Sequence, residues 1–129
     1  MRCCKMLVAT LLLAVGCQQK LDVVKTADLE PGDEVMYPIT APARDQRVTV
    51  AAQSGGVEIN LFVLKAKSDD DAKKIIQKQT ADEIFAKTLA KADPTLETVV
   101  PGGTAYYVAV TNPSQKEAKV SVKITGRQK

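Results

Sequence analysis

Few side chains in this sequence could do chemistry by themselves. The three cysteines, Cys3, Cys4 and Cys17, all lie near the N-terminus, and the chain contains no histidine. Histidine is the commonest general base and the commonest transition-metal ligand, so its absence removes the usual way of activating a hydroxyl nucleophile. Ser54 and Ser114 therefore have no imidazole partner, and the chain beyond residue 17 offers no thiolate for a metal.

Carboxylates are the remaining route to catalysis or metal binding. Candidates for the acid–base pair of a hydrolase are Asp45, Glu58, Asp93 and Glu97, but nothing in the sequence fixes their separation. The run 69–71, three aspartates after Ser68, has the oxygen ligands that Ca²⁺ prefers, yet it lacks the alternating spacing and glycine of a calcium loop. A helix start explains it better, since serine caps helices and aspartate complements their dipole. We expect no enzyme activity, metal site or cofactor.

The first sixteen residues have the three parts of a secretory signal. Arg2 and Lys5 supply positive charge, a nearly unbroken apolar run from Met6 to Val15 follows, and small residues lead to Cys17. The apolar run is about half of the ~20 residues that a stable membrane-spanning helix needs. We therefore expect residues 1–16 to be a signal peptide that is removed on export.

The end of this leader, Leu13-Ala14-Val15-Gly16-Cys17, resembles the lipobox of bacterial lipoproteins. The resemblance implies that a diacylglyceryl group is attached to Cys17 and that the signal is cut just before it. Ala14 stands where the lipobox usually has leucine, and Leu13 lies one place further out. The alternatives are a plain signal peptide with an incidental cysteine and an uncleaved anchor. Gln18, where enterobacterial lipoproteins kept in the inner membrane have aspartate, favours the outer membrane by the same resemblance.

Beyond a predicted lipidated N-terminus and tether at 17–32, the chain alternates with the two-residue period of β-strands. The predicted strands are 34–40, 47–52, 57–64, 95–101, 104–111 and 117–125. Pro38 cannot donate a ladder hydrogen bond, so its strand should lie at a sheet edge. The stretch 53–56, with two glycines, predicts a hairpin turn. The alternation in 104–111 suits an inner strand.

Between Lys67 and Asp93 the period becomes helical, which predicts an insertion at about 68–93. Ser68 and the aspartates begin one helix, and Thr80 with Glu83 forms a capping box for a second. Pro94 ends the element. We expect the insertion to pack on the second face of the strands that carry Phe62, Leu64, Tyr107 and Ala109.

Two stretches, 35–50 and 98–112, resemble the bacterial pre-peptidase C-terminal family. The second contains Pro101-Gly102-Gly103 followed by a tyrosine-rich strand with Tyr106 and Tyr107. The members of that family are non-catalytic β-sandwich accessories of exported proteins, so the resemblance implies a similar fold and carries over no catalytic residue. The insertion has no counterpart in the family's usual pattern.

These patterns together predict a mainly β protein, an antiparallel β-sandwich of about six to eight strands at 33–126. Without Arg2 and Lys5 the charge of +3 falls to +1, which gives no nucleic-acid footprint. The predicted function is a lipid-anchored envelope protein with a binding or scaffolding module; the alternatives are a small carboxylate hydrolase and a purely structural surface lipoprotein. The expected partners are the membrane, through the lipid on Cys17, and an envelope protein or polysaccharide. Tyr37, Tyr106 and Tyr107 are candidate binding anchors, but core faces explain the first two better.

Overall fold

The computed structural model describes residues 21–128, so the predicted signal peptide, Cys17 and Gln18 lie outside the described residues. Helix α1 spans Asp69–Lys78, and a 3₁₀ turn spans Ala81–Glu83. Residues 21–128 form eight strands: β1 Leu21–Leu29, β2 Glu34–Ile39, β3 Gln46–Gln53, β4 Glu58–Lys65, β5 Ile84–Ala92, β6 Thr95–Val100, β7 Tyr106–Thr111 and β8 Ala118–Gln128.

The strands form two four-stranded antiparallel sheets. The first sheet has the order β1-β8-β3-β6 and the second has the order β2-β7-β4-β5. Every connection except that from β4 to β5 passes from one sheet to the other, which is the strand order of a jelly roll. The predicted fold class, a mainly β antiparallel sandwich with a short helical insertion, is confirmed.

The core lies between the sheets and is built mainly of aliphatic side chains. On β8 the inward set is Ala118, Val120, Val122 and Ile124, each at most 2% exposed, as the alternation predicts. Facing residues such as Val108 and Val110 come from β7, an inner strand of the second sheet, which was also predicted. β2, which carries Pro38, is an edge strand as predicted. Alternation therefore fixes which side of each of these strands meets water.

The helix α1 begins where its cap predicts it should. The Ser68 hydroxyl accepts a hydrogen bond from the Asp71 amide at 3.1 Å, and the Asp71 carboxylate accepts one from the Lys67 amide at 2.9 Å. The apolar residues of α1 pack on the outer face of the second sheet, as predicted. This outer cluster consists of Phe62, Leu64, Ala66, Ala72, Ile75, Ile76, Tyr107 and Ala109. The second sheet is thus covered on both faces.

The prediction of a second helix after Thr80 is wrong. The capping-box residues form only the 3₁₀ turn, the Thr80 side chain makes no cap hydrogen bond, and Ile84–Ala92 is strand β5. Ile84 packs beside the outer cluster whereas Phe85 packs against the core, so neighbouring residues face opposite sides. That two-residue period belongs to a strand, and the pairing of β5 with β4 supplies hydrogen bonds that a short helix would have had to make internally.

The prediction of a tether at 17–32 is wrong from residue 21 onward. Leu21–Leu29 is β1, an edge strand that pairs with β8 over its whole length, so the folded domain begins well before residue 33 and extends to 128. Leu29 is buried, and Leu21, Val23 and Ala27 pack against the core. Exposed Lys25 interrupts this inward series, which hid the strand in the sequence.

The prediction of a hairpin at 53–56 is wrong in its connectivity but right in its turn chemistry. Gly55 and Gly56 have φ values of 66° and 84°, the left-handed region that glycine enters without strain. β3 and β4 do not pair with each other, however, because they belong to different sheets. Turn residues determine the local backbone but not the sheet that the next strand joins.

Among residues 21–128, no helix is both long and apolar enough to cross a membrane.

Candidate functional site

One candidate site is a groove on the outer face of the first sheet, near the end where β1 begins. We call it the arginine groove; its lining residues are Leu21, Asp22, Arg47, Thr49, Glu97, Thr125, Gly126 and Arg127. Its volume of about 820 Å³ lies within the range of small-molecule sites. All four strands of the sheet contribute to the lining, so the groove rests on hydrogen-bonded backbone.

The strand register places the polar side chains of the groove in two rows across the sheet. In the outer row, Arg127 of β8 lies directly opposite Arg47 of β3. The inner row lies two residues further along each strand and runs in the order Asp22, Thr125, Thr49 and Glu97. Neighbours such as Val48 and Ile124 are fully buried, so alternation turns the groove residues outward.

The two arginines make the outer row unusual. Like charges directly opposite each other on neighbouring strands destabilise a sheet unless something neutralises them. The Arg47 Nη1 atom lies 4.0 Å from the Glu97 Oε1 atom, with the side chains 51% and 59% exposed, and such exposed pairs contribute little. Among the described residues Arg127 has no ion-pair partner within 4.0 Å. A guanidinium group can donate two parallel hydrogen bonds to the oxygens of one carboxylate or phosphate. The outer row is therefore suited to binding an anion.

The carboxylates that were candidates for a hydrolase are not brought together. The Asp93 carboxylate accepts a hydrogen bond from the Ser54 amide at 2.7 Å, in the turn between β5 and β6. The Asp45 carboxylate accepts one from the Gly102 amide at 3.0 Å, which joins two loops at the other end of the sandwich. Glu97 belongs to the groove, and Glu58 begins β4. Two of the four therefore hold loops in place.

Ser68 is the N-cap of α1, and the three aspartates form the acidic first turn of the helix. Asp71 is occupied by the amide of Lys67. Desolvation raises the pKa of Tyr107, and the nearby Asp69 and Asp71 carboxylates raise it further. Within residues 21–128 no group of three or more acidic or cysteine side chains could hold a metal ion.

The tyrosines are structural, which confirms the interpretation of Tyr37 and Tyr106 as core residues. Tyr106 is fully buried between the sheets, and burial raises its pKa to about 12. Tyr37 packs against the same core with its hydroxyl shielded from solvent and without a hydrogen-bond partner among the described residues. Tyr107 lies beneath α1. No tyrosine therefore lines the arginine groove.

Sequence reasoning missed the groove because its residues come from four separate segments: the start of β1, β3, β6 and the end of β8. Asp22 was assigned to a tether, and Arg47 and Arg127 are eighty positions apart in the chain. One signal was available: apart from Arg2, the chain has only three arginines, and two of them lie near strand ends at positions that alternation turns outward. Their juxtaposition depends on the β3–β8 register.

No protein family and no curated protein matches the chain in sequence. Solved structures share its fold. The Yersinia pseudotuberculosis-derived mitogen is 12% identical with a TM-score of 0.59, over 83% of this chain and 86% of that chain. PliG of Aeromonas hydrophila, a periplasmic lysozyme inhibitor of g-type lysozyme, is 15% identical with a TM-score of 0.59, over 91% and 93% of the two chains. At these identities the likeness shows a shared β-sandwich fold alone.

Proposed function

We propose that this protein is a lipid-anchored component of the bacterial cell envelope whose jelly roll is a non-catalytic binding or scaffolding module. Lipid on Cys17 attaches it to a membrane, and the absence of aspartate at position 18 favours the outer membrane. The arginine groove is its binding site. The resemblance of 35–50 and 98–112 to the pre-peptidase C-terminal family leads us to expect an accessory role as well.

Three lines support the proposal. The leader has the charge, length and small residues of an export signal, and Cys17 ends a lipobox-like sequence. The fold is shared with a periplasmic inhibitor, which is a protein that acts by binding. The main support for the binding role is that Arg47 and Arg127 lie directly opposite each other in the groove. Their mutual repulsion would be relieved by an anionic ligand that accepts hydrogen bonds from both.

The anchor is tested by labelling cells with a radioactive fatty acid. We expect the wild-type protein to incorporate label and Cys17→Ser to incorporate none and to remain as an uncut precursor, since the acyl group and the cleavage both depend on this thiol. The measurement is label in the isolated protein together with its mass.

The matched control is the double variant Cys3→Ser/Cys4→Ser, which removes the other two cysteines from the same leader. It should be labelled and cut as the wild type is, because these residues leave with the signal. Label that survives in Cys17→Ser would place the lipid elsewhere and end this part of the proposal.

The binding role is tested by affinity isolation of the full-length protein from envelope dissolved in mild detergent. We expect a protein, glycan or lipid to be enriched with the wild type, and its recovery to fall at least about tenfold with Arg47→Gln/Arg127→Gln, the factor that one lost charge-assisted hydrogen bond of about 1.5 kcal/mol represents. Lys119→Gln/Lys123→Gln removes the same charge from the same face of β8 outside the groove, and it should behave as the wild type. Equal recovery from all three proteins would remove the groove as the binding site, and enrichment of nothing would favour a purely structural lipoprotein.

A further inference from the structure

The start of β1 limits how far the domain can stand from its anchor. Only residues 18–20 separate Cys17 from Leu21, the first residue of a strand that is hydrogen-bonded to β8 throughout. Four residue steps of fully extended chain span at most about 14 Å. If Cys17 carries lipid, Leu21 therefore lies within about 14 Å of the lipid attachment point, and Leu21 lines the arginine groove.

The end of the first sheet where β1 begins is rich in arginine. Antiparallel pairing brings Arg47, near the start of β3, and Arg127, near the end of β8, to the same end as Leu21. The loop before β3 adds Arg44, and it is held there by a 2.7 Å hydrogen bond from the Gly103 amide to the Pro42 carbonyl. All three arginines of residues 21–128 thus lie at this end. The helical segment that follows β4 at the same end, on the other sheet, has nearly equal numbers of lysines and acidic residues.

The opposite end of the sandwich, about 26 Å away along β1, has the other sign. The turn between β1 and β2 and the neighbouring strand ends carry many carboxylates and fewer lysines. The acidic residues there are Asp28, Glu30, Asp33, Glu34, Glu58, Asp93 and Glu117, and the basic ones are Lys91, Lys116 and Lys119. The excess of carboxylates therefore lies at the end away from the anchor, whereas the end beside the anchor holds the three arginines together with Asp22, Asp45 and Glu97.

We propose that the arginine groove binds the phosphate groups of anionic phospholipids in the membrane that holds the anchor, so that the domain stands with its strands upright and its acidic loops outward. This inference rests on the proposed lipidation of Cys17. Bacterial anionic lipids present phosphate oxygens at the surface, which match the paired guanidinium groups. The Glu97 carboxylate, 4.0 Å from Arg47, competes with a phosphate for that guanidinium, whereas Arg127 has no carboxylate within 4.0 Å among the described residues and remains available.

The orientation can be measured because the mature chain offers a clean background for labelling. Once the leader is removed and Cys17 is acylated, no free thiol remains, so an introduced cysteine is the only site for a fluorophore. Ala43→Cys places the label in an exposed loop at the arginine end, and Gln115→Cys places it in an exposed loop at the acidic end. The purified mature lipoprotein is inserted into vesicles of phosphatidylglycerol and phosphatidylcholine that contain a lipid with a quencher on its headgroup.

We expect strong quenching at position 43 and weak quenching at position 115. Each basic side chain close to an anionic membrane favours the upright orientation by about fivefold, so Arg47→Gln/Arg127→Gln should lower the ratio of upright to other orientations by about twenty-five-fold. Lys119→Gln/Lys123→Gln is the matched control and should leave the quenching pattern unchanged. Raising the salt concentration should reduce the contrast between the two labels in the wild type, since surface electrostatics are screened.

The outcomes separate this inference from the proposed function. Label on Cys17 with equal quenching at both positions, or with a contrast that persists in pure phosphatidylcholine or in the double arginine variant, overturns the orientation and leaves the anchor standing. Loss of the contrast when millimolar inorganic phosphate is added at constant ionic strength would make the groove a site for a free anion and also overturn it. If Cys17 carries no lipid, the anchor and the orientation both fail.

Discussion

Phe62→Ala should lower the free energy of unfolding by about 3–5 kcal/mol, the usual cost of replacing a buried phenylalanine by alanine. Phe62 is 1% exposed and belongs to the outer cluster on which α1 packs. Isolated helices of ten residues are not stable in water, so α1 depends on this contact. We therefore expect α1 to lose its order in this variant while the two sheets remain paired, as measured by urea unfolding and by hydrogen exchange of the α1 and β3 amides.

The matched control is Leu89→Ala on neighbouring strand β5, where the side chain is 50% exposed and the change should cost no more than about 0.5 kcal/mol. Native protection of the α1 amides in Phe62→Ala would show that the helix does not depend on the outer cluster. If Phe62→Ala unfolds the whole domain, Ile76→Ala removes fewer atoms from the same cluster and should give the same order of loss, helix before sheets.

The sequence predicted those elements whose signal is local. β8 alternates strictly between apolar and polar residues, and α1 starts at a serine followed by aspartates, so neither needs information about distant segments. The packing of α1 was also predictable, because Phe62, Leu64 and Tyr107 gave apolar second faces to two inner strands. A strand that is apolar on both faces must pack against another element on each face, and the predicted helix was the element available for the outer face.

The sequence misled where a local signal competed with pairing elsewhere. Thr80 and Glu83 have the spacing of a capping box, and Glu83 and Lys87 have the spacing of a helical ion pair, but β5 pairs with the edge of β4 along most of its length, with two register shifts. The Lys87 Nζ atom instead donates a 2.6 Å hydrogen bond to the Gln79 side chain, across from the end of α1. Tertiary pairing thus overrode a weak helical preference.

The arginine groove was beyond sequence reasoning for a similar reason. Its outer row exists only because β8 returns from the C-terminus to lie beside β3, and its inner row needs β1 as well. Treating 17–32 as a tether removed Asp22 from consideration and also hid the short connection between Cys17 and the sheet. The finding that β1 begins at Leu21 therefore changes the expected geometry most: if Cys17 carries the proposed lipid, the sheet begins within about 14 Å of it and not at the end of a sixteen-residue linker.

Asn112 is the buried polar side chain on which the acidic end of the sandwich depends. It is 1% exposed, and its Nδ2 group donates to the Leu29 carbonyl at 2.9 Å and to the Lys116 carbonyl at 2.7 Å. Its Oδ1 atom accepts from the Ser114 amide at 3.0 Å and from the Ser114 hydroxyl at 2.7 Å. One amide thus joins the end of β1 to the loop before β8, and both of its ends are fully used.

Asn112→Asp should therefore destabilise the domain by about 3 kcal/mol or more at neutral pH, because a carboxylate in place of the Nδ2 group repels two carbonyl oxygens. The Leu29 carbonyl loses this donor, and the Lys116 carbonyl keeps only the Ser114 hydroxyl. The loss should shrink as the pH falls: the folded protein favours the neutral acid, so the pKa of the new carboxyl is raised and its protonation restores one donor. The control is the same change at the only other asparagine, Asn60→Asp, whose partners are the Ala90 amide and the Thr111 hydroxyl. An amide donates to a carboxylate, and a hydroxyl can reverse to do so, so we expect a cost below about 1 kcal/mol. Equal urea midpoints for the two variants at pH 7 would contradict the assignment of both donors at Asn112.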